Sequence, residues 1–148
     1  MPVHASMDRF SIDHAQDLRR RRTRELAETL VEDARWILPD DRAVIHAIYA
    51  DGMTAQNVAR LRNEPPRRLR RRVRVLVSRI LSDRFRFVLI HRDAWPPMRR
   101  RVAGACILQG RSMRAAAAHL HISLHAVRRE MDVINALFAA ATPHAAAA

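Results

Sequence analysis

The chain has 148 residues, of which 27 are basic and 15 acidic, and its formal net charge is +12. This length suits one domain or two very small ones, and an apolar share of 49% excludes an intrinsically disordered chain. No run approaches the ~20 apolar residues of a membrane helix, and the N-terminus lacks a signal-peptide pattern. A single cysteine excludes a disulfide framework. The composition therefore predicts a cytoplasmic protein without membrane contact.

The positive charge is unevenly distributed. Residues 1–51 hold 8 arginines and 10 acids, whereas residues 52–148 hold 19 arginines and 5 acids. A basic stripe attracts phosphates and gains affinity from the release of counterions, so a polyanion partner is the first hypothesis. The alternative is a solvated charged face. Six arginines fall within eight residues, at Arg67, Arg68, Arg70, Arg71, Arg72 and Arg74.

Apolar residues recur at spacings of three and four, which predicts an all-α protein. A first amphipathic helix is expected from about Ile12 to Ile37, with Ser11 as its N-terminal cap. The helix is expected to end there because Pro39 disfavours the helical conformation of the residue before it. Asp40 or Asp41 is then expected to cap a second helix.

Gly52 is typical of the end of that second helix, and Thr54 begins a short third one. Residues 62–64 indicate a turn. Pro66 suits the first position of a long basic helix, whose apolar spacing continues as far as Ile90.

After a second proline break the pattern repeats at an offset of 58 residues, which predicts one small module used twice. The offset places Pro39 on Pro97, Gly52 on Gly110, Thr54 on Ser112, Ala59 on Ala117 and Arg71 on Arg129.

The second copy is the clearer one. Gly110 ends a helix, Ser112 caps the next, and His121 occupies a position that requires a left-handed turn. Ser123 then caps a third helix, in which Val127 faces inward. The residues expected to point outward from this third helix are Leu124, His125, Arg128 and Arg129.

This arrangement resembles the region 4 helix-turn-helix of bacterial sigma-70-type factors and related transcription regulators. The resemblance covers roughly residues 36–81 and 94–135. It implies tandem helix-turn-helix modules that bind double-stranded DNA, with the outward residues of the second copy and the six clustered arginines of the first as contacts. The implied divisions are an N-terminal helix (1–37), a first module (38–91), a second module (92–138) and a frayed alanine-rich tail (139–148).

The first copy departs from this pattern. Arg62 and Glu64 stand where Leu120 and Ile122 plug the turn of the second copy, so the first turn is expected to be looser or to be plugged by Leu61. Region 2 of a complete sigma factor, which engages the polymerase core and melts the promoter, is not recognisable. Promoter melting is therefore not expected.

The resemblance suggests a division of labour. So many adjacent arginines cannot all reach bases, so the first module is expected to supply phosphate contacts and the second most of the base reading. Under this hypothesis Arg129→Ala relaxes specificity, while Arg72→Ala weakens binding to all sequences alike.

Two rival functions remain open at this point. The chain can be a protein-interaction module that binds RNA polymerase or a sigma or anti-sigma partner, or a nonspecific RNA or DNA binder. The oligomeric state and the target site do not follow from the sequence.

Other chemistry is not expected. His119, His121 and His125 lack nearby cysteine or carboxylate ligands for a metal site. Cys106 is predicted to be a core residue, and Trp36 and Trp95 are predicted to pack on neighbouring helices, with base stacking as the alternative. No phosphate loop or catalytic constellation is present, so neither an enzyme nor a cofactor is expected.

Overall fold

The structure is a computed structural model that describes residues 5–142, with side chains from residue 16 onward. Within this range the chain is all-α, as predicted, with eight α-helices and no strand. The helices are α1 (Ala5–Asp33), α2 (Pro39–Tyr49), α3 (Ala55–Leu61), α4 (Pro66–Ile80), α5 (Asp83–His91), α6 (Pro97–Ala103), α7 (Met113–Leu120) and α8 (Leu124–Ala141).

Helix α1 differs from its predicted bounds at both ends. It begins at Ala5, so Ser11 lies inside the helix and its predicted role as the cap is wrong. At the other end the α-helix stops at Asp33, and a 3-10 turn over Ala34–Trp36 leads to the extended residue Ile37. Helix ends often tighten into such turns.

Helix α2 begins without a side-chain cap. Leu38 is the N-cap residue, and Pro39 takes the first helical position, where its missing N–H has no partner to lose. The prediction that Asp40 or Asp41 caps this helix is therefore wrong. Both carboxylates lie in the first turn, where they favour the positive end of the helix dipole and remain free to bind other side chains.

The long basic helix is shorter than predicted. It ends at Ile80, and the chain turns at Leu81 and Ser82 before α5 begins. The Ser82 hydroxyl accepts a hydrogen bond from the Phe85 N–H at 3.2 Å, which caps α5. This turn brings Phe85 fully into the core.

The repeat at an offset of 58 residues is present in the backbone. Gly52 and Gly110 both have a φ of 70°, and Asn63 and His121 have φ values of 54° and 56°. The 3-10 turn over Ala34–Trp36 also has a counterpart at the same offset, over residues 92–94. We call residues 34–80 the first unit and residues 92–141 the second unit.

Helix caps repeat as well. The Thr54 hydroxyl accepts from the Asn57 N–H at 3.2 Å, and the Ser112 hydroxyl accepts from the Ala115 N–H at 3.1 Å. In the second unit α6 continues into a π-helical segment over Gly104–Leu108, where the first unit has a regular helix.

Both units contribute to one large core. This main core joins Leu30 of α1, Leu76 and Ile80 of α4, and Val102 and Ile134 of the second unit, all almost fully buried. A smaller cluster fills the first unit alone and consists of Val44, Val58, Ala59 and Leu69. The two units are therefore fused through a shared core.

A polar contact also joins the units. Arg79, near the end of α4, donates from Nη1 to the carbonyl oxygen of Gln109 at 3.0 Å. The next residue, Gly110, has its positive φ, and a Cβ at this position would overlap the Arg79 guanidinium. The backbone conformation therefore favours glycine here, and any other residue would also displace the Arg79 guanidinium.

The two ends of the chain differ from the predicted divisions. Helix α8 runs to Ala141, so residues 139–141, predicted to be frayed, form its last turn. The rest of the predicted tail, residues 143–148, lies outside the described residues. Among residues 5–142 no helix is both long enough and apolar enough to cross a membrane.

Candidate nucleic-acid interface

The outer face of α4 carries a stripe of arginines. Arg67, Arg70, Arg71 and Arg74 recur at spacings of three and four, which places them on one side of the helix. The fully buried Leu69 anchors the opposite side. All four arginines are exposed, and so is Arg68 on the flank of the same face.

These five arginines have no carboxylate partner in the part of the chain that the structure describes. Among the described residues none of them makes a salt bridge or a side-chain hydrogen bond. We call Arg67, Arg68, Arg70, Arg71 and Arg74 the α4 stripe. Five unpaired guanidinium groups on less than three turns of helix create a strongly positive surface.

Arg72 is placed differently from the α4 stripe. Its guanidinium donates to an Asp40 carboxylate oxygen at 2.6 Å and, through Nε, to Asp41 at 2.8 Å. Arg62 donates to the other Asp40 oxygen at 2.6 Å and to Glu64 at 2.9 Å. We call these five residues the ionic junction, and Arg72 is held within it.

The ionic junction changes the acidity of one of its members. Hydrogen bonds from Arg62 and then from Arg72 lower the pKa of Asp40 to about 2. Both donors favour the charged carboxylate. Of the two alternatives predicted for this turn, the one in which Leu61 plugs it is wrong, because Leu61 is 76% exposed. The first turn is instead closed by hydrogen-bonded ion pairs of Arg62 with Glu64 and Asp40.

The outer face of α8 is less charged. The Ser123 hydroxyl accepts from the Ala126 N–H at 3.0 Å, as predicted for its cap. His125, Arg128 and Arg129 follow on the exposed side, and Asp132 stands one turn further on. At the offset of 58 residues Asp132 replaces Arg74 of the α4 stripe. We call His125, Arg128, Arg129 and Asp132 the α8 face.

Leu124 is placed differently from its neighbours on α8. The sequence predicts that it points outward, but its side chain is only partly exposed and packs against the main core. It is therefore not part of the α8 face.

The second unit closes its turn with apolar side chains. Leu120 and Ile122 are half-buried and pack against the main core, which confirms the predicted plug. Nearby, Arg99 of α6 donates from Nε to Glu130 of α8 at 3.0 Å. An offset of 58 residues relates this pair to Asp41 and Arg72, so the two units hold equivalent ion pairs with the signs exchanged.

The remaining candidate residues have structural surroundings. Cys106 is half-buried against the main core, and burial raises the pKa of its thiol. Trp95 is 9% exposed and packs on Phe87 with ring centroids 5.8 Å apart, which excludes it from base stacking. Trp36 lies under the Arg92 guanidinium, 4.2 Å from the ring centroid.

Potential metal ligands are scattered. Across the part of the chain that the structure describes, no three histidine, cysteine, aspartate or glutamate side chains come together to hold a metal ion. His119, His121 and His125 all lie at the surface.

Comparisons with protein-family models, with curated proteins and with solved structures found no match to this chain. The α4 stripe, the α8 face and the repeat that relates them are therefore the basis for proposing a function.

Proposed function

We propose that this chain is a sequence-specific double-stranded DNA-binding protein that regulates transcription. In this proposal α3–α4 and α7–α8 are two helix-turn-helix motifs of the sigma region 4 kind, and α4 and α8 are their recognition helices. The observation that carries the proposal is the α4 stripe, in which five exposed arginines directly follow a tight turn and have no ion-pair partner among the described side chains.

The chemistry of the α4 stripe suits a duplex backbone. Each strand presents regularly spaced phosphates, and neutralising them releases condensed counterions, which drives binding. The major groove is about 12 Å wide and admits an α-helix, so arginines on one helix face meet both phosphates and base edges. Five arginines on so short a segment supply mainly phosphate contacts, which give affinity without sequence information.

The α8 face suits base reading better. It has two arginines, one histidine and one aspartate, so its nonspecific attraction to phosphate is weaker. Arginine pairs with guanine through two hydrogen bonds, and aspartate accepts from the amino group of cytosine. Arg128 and Arg129 are the residues we assign to guanine contacts. The first unit thus supplies affinity and the second supplies discrimination.

The test is selection from a random duplex DNA library, followed by affinity measurements on the selected and a scrambled duplex at two salt concentrations. We expect a selected motif that binds at least ~10³-fold more tightly than the scramble. Binding that depends on salt but not on sequence would contradict the proposal and leave a nonspecific binder.

Two further binding measurements separate the rival functions. A structured RNA competitor that displaces the selected duplex at equal concentration would favour RNA as the ligand. A variant with Arg67, Arg68, Arg70 and Arg71 changed to glutamine should lose duplex binding. If wild type binds no duplex and this variant still associates with RNA polymerase, the chain is a protein-interaction module.

A further inference from the structure

One stretch of α1, over residues 16–26, is exposed on all sides. Every residue from 16 to 26 is exposed, and the first fully buried side chain of the described part of this helix is Leu30. We call residues 16–26 the α1 arm. At 1.5 Å per residue the arm is about 16 Å long, or three helical turns. Nothing in the described part of the chain covers it.

The α1 arm carries five arginines in six residues. Arg21 donates from Nε to Glu25 at 3.0 Å, which uses one of them. The other four have no carboxylate partner among the described side chains. These four are Arg19, Arg20, Arg22 and Arg24.

From Asp17 to Glu28 the charges of α1 are segregated by face. At 100° per residue Arg19, Arg20, Arg22 and Arg24 cover an arc of about 200°. The opposite arc holds the acids Asp17, Glu25 and Glu28 together with the paired Arg21. This stretch of α1 therefore has one basic face and one mixed face.

The basic face repels itself in the free protein. Arg19 and Arg22 are three residues apart, and Arg20 and Arg24 are four apart, so both pairs are neighbours on the helix surface. Like charges at these spacings destabilise a helix, and phosphates beside the face would relieve the repulsion. The face is complementary to a polyanion.

A second helix is a poorer fit to the arm. Leu18 and Leu26 are its exposed apolar residues, at 44% and 42% exposure. They are eight residues apart with no apolar side chain between them. A helix-pairing seam needs an apolar residue every three or four positions.

We infer that the α1 arm is a third nucleic-acid contact, which binds the phosphate backbone of the duplex held by α4 and α8. The inference rests on the proposed function. The contact is independent of sequence, because arginines that meet phosphates position a protein without reading bases. The arm lengthens the footprint on DNA beyond that of the two units.

The test compares two full-length variants that each lose two positive charges. R19Q/R22Q removes arginines from the basic face of the arm. R35Q/R42Q removes two exposed arginines of the body that make no salt bridge in the described part of the chain, and serves as the matched control. Glutamine keeps a good helix propensity, so the arm stays helical.

The measurement is the dependence of log K on log salt concentration, with the duplex selected for wild type. Each lost phosphate contact lowers the magnitude of this slope by about 0.9, so R19Q/R22Q should lower it by about 2. R35Q/R42Q should leave it within about 0.5 of wild type. Circular dichroism and the melting temperature of both variants check that the fold is kept.

The outcomes separate this inference from the proposed function. If wild type does not bind duplex DNA, the proposed function and the inference fail together. If wild type binds, and R19Q/R22Q has the same slope as R35Q/R42Q, the inference alone is overturned. Sedimentation of both variants adds one further criterion. An R19Q/R22Q variant that changes oligomeric state but keeps the wild-type slope would make the arm a self-association surface and would also overturn the inference.

Discussion

The two units reach the same backbone geometry with opposite chemistry at the turn between their second and third helices. In the first unit this turn is closed by Arg62 and Glu64 within the ionic junction, and in the second by Leu120 and Ile122 against the main core. The left-handed residue that makes the turn has nearly the same φ in both units. The difference teaches that the left-handed residue sets this turn, while the side chains that fill it are interchangeable.

The exchanged ion pair extends this comparison. Asp41 of α2 holds Arg72 of α4, and Arg99 of α6 holds Glu130 of α8 at equivalent positions. Geometry therefore fixes where a pair forms, whereas the sign of each partner is free. The surrounding surfaces differ accordingly, because in the first unit two further acids bind the same cluster of arginines.

The largest expected effect concerns how independent the units are. Leu69→Ala, in the small cluster, should destabilise the fold by about 2–5 kcal/mol. Val127→Ala, its counterpart in the main core, should cost about 2 kcal/mol. Both variants should unfold in one transition, because α4 also carries Leu76 into the main core. Urea unfolding followed by circular dichroism and by tryptophan fluorescence tests this. Separate transitions for the two signals would show that the units fold independently.

The exchanged pair offers the next test. Glu130→Arg places like charges at Arg99 and should destabilise the fold by about 2 kcal/mol, less than for a fully buried pair. The double variant R99E/E130R should recover most of this loss. In the first unit D41R/R72E should not recover the loss caused by R72E, because an acid at position 72 would face Asp40. Thermal unfolding of the four variants measures these differences. Equal recovery in both units would show that the ionic junction does not depend on its further acids.

The proposed division of labour between the two faces can be tested at one pair of equivalent positions. Arg129→Ala should reduce the preference for the selected duplex over a scrambled one by about 1–3 kcal/mol. Arg71→Ala should weaken binding to both duplexes alike and lower the salt slope by about 0.9. Competition binding at two salt concentrations distinguishes them. Arg72 is unsuited to this test, because removing it disrupts the ionic junction. A uniform loss of affinity in both variants would contradict the division.

The smallest expected effect is the pH dependence of the ionic junction. Folding lowers the pKa of Asp40 from 3.8 to about 2, so between these values the unfolded chain binds more protons and stability rises with pH. At neutral pH the free energy of unfolding of wild type should exceed that of Asp40→Asn by less than about 1 kcal/mol, because the carboxylate is 64% exposed. The difference should shrink from pH 4 to pH 2. Urea unfolding at pH 7, 4 and 2 measures it, with the exposed Asp51→Asn as control. A constant difference would rule out this contribution.

Much of the fold follows from local signals. Gly52, Gly110, Ser112, Ser123 and His121 have the roles their residue types predict, because each acts through its own backbone. The turn at Ser82 was hidden, since apolar residues continue across it at helical spacing and outweigh one serine. An N-cap serine followed by Asp83 was the signal that could have found it.

The candidate site is less predictable from sequence. The exposed arginines of the α4 stripe follow from helical spacing, which also explains why Leu69 is buried. The place of Arg72 does not follow, because its partners Asp40 and Asp41 lie about thirty residues earlier and meet it only after α2 packs on α4. Arg62 and Glu64 occupy positions that hold apolar residues in the second unit, and only the folded chain shows that they complete a charge network.

The contact between Arg79 and the backbone at Gln109 and Gly110 links α4 of the first unit to the second unit. Together with the shared core, this contact joins the two units, so α4 and α8 have one separation and one relative rotation in the structure. Under the proposed function, a duplex that binds both helices is expected to present its two contact regions at one spacing and one helical phase. Inserting about five base pairs, half a turn of DNA, between those regions would turn one of them away from the protein.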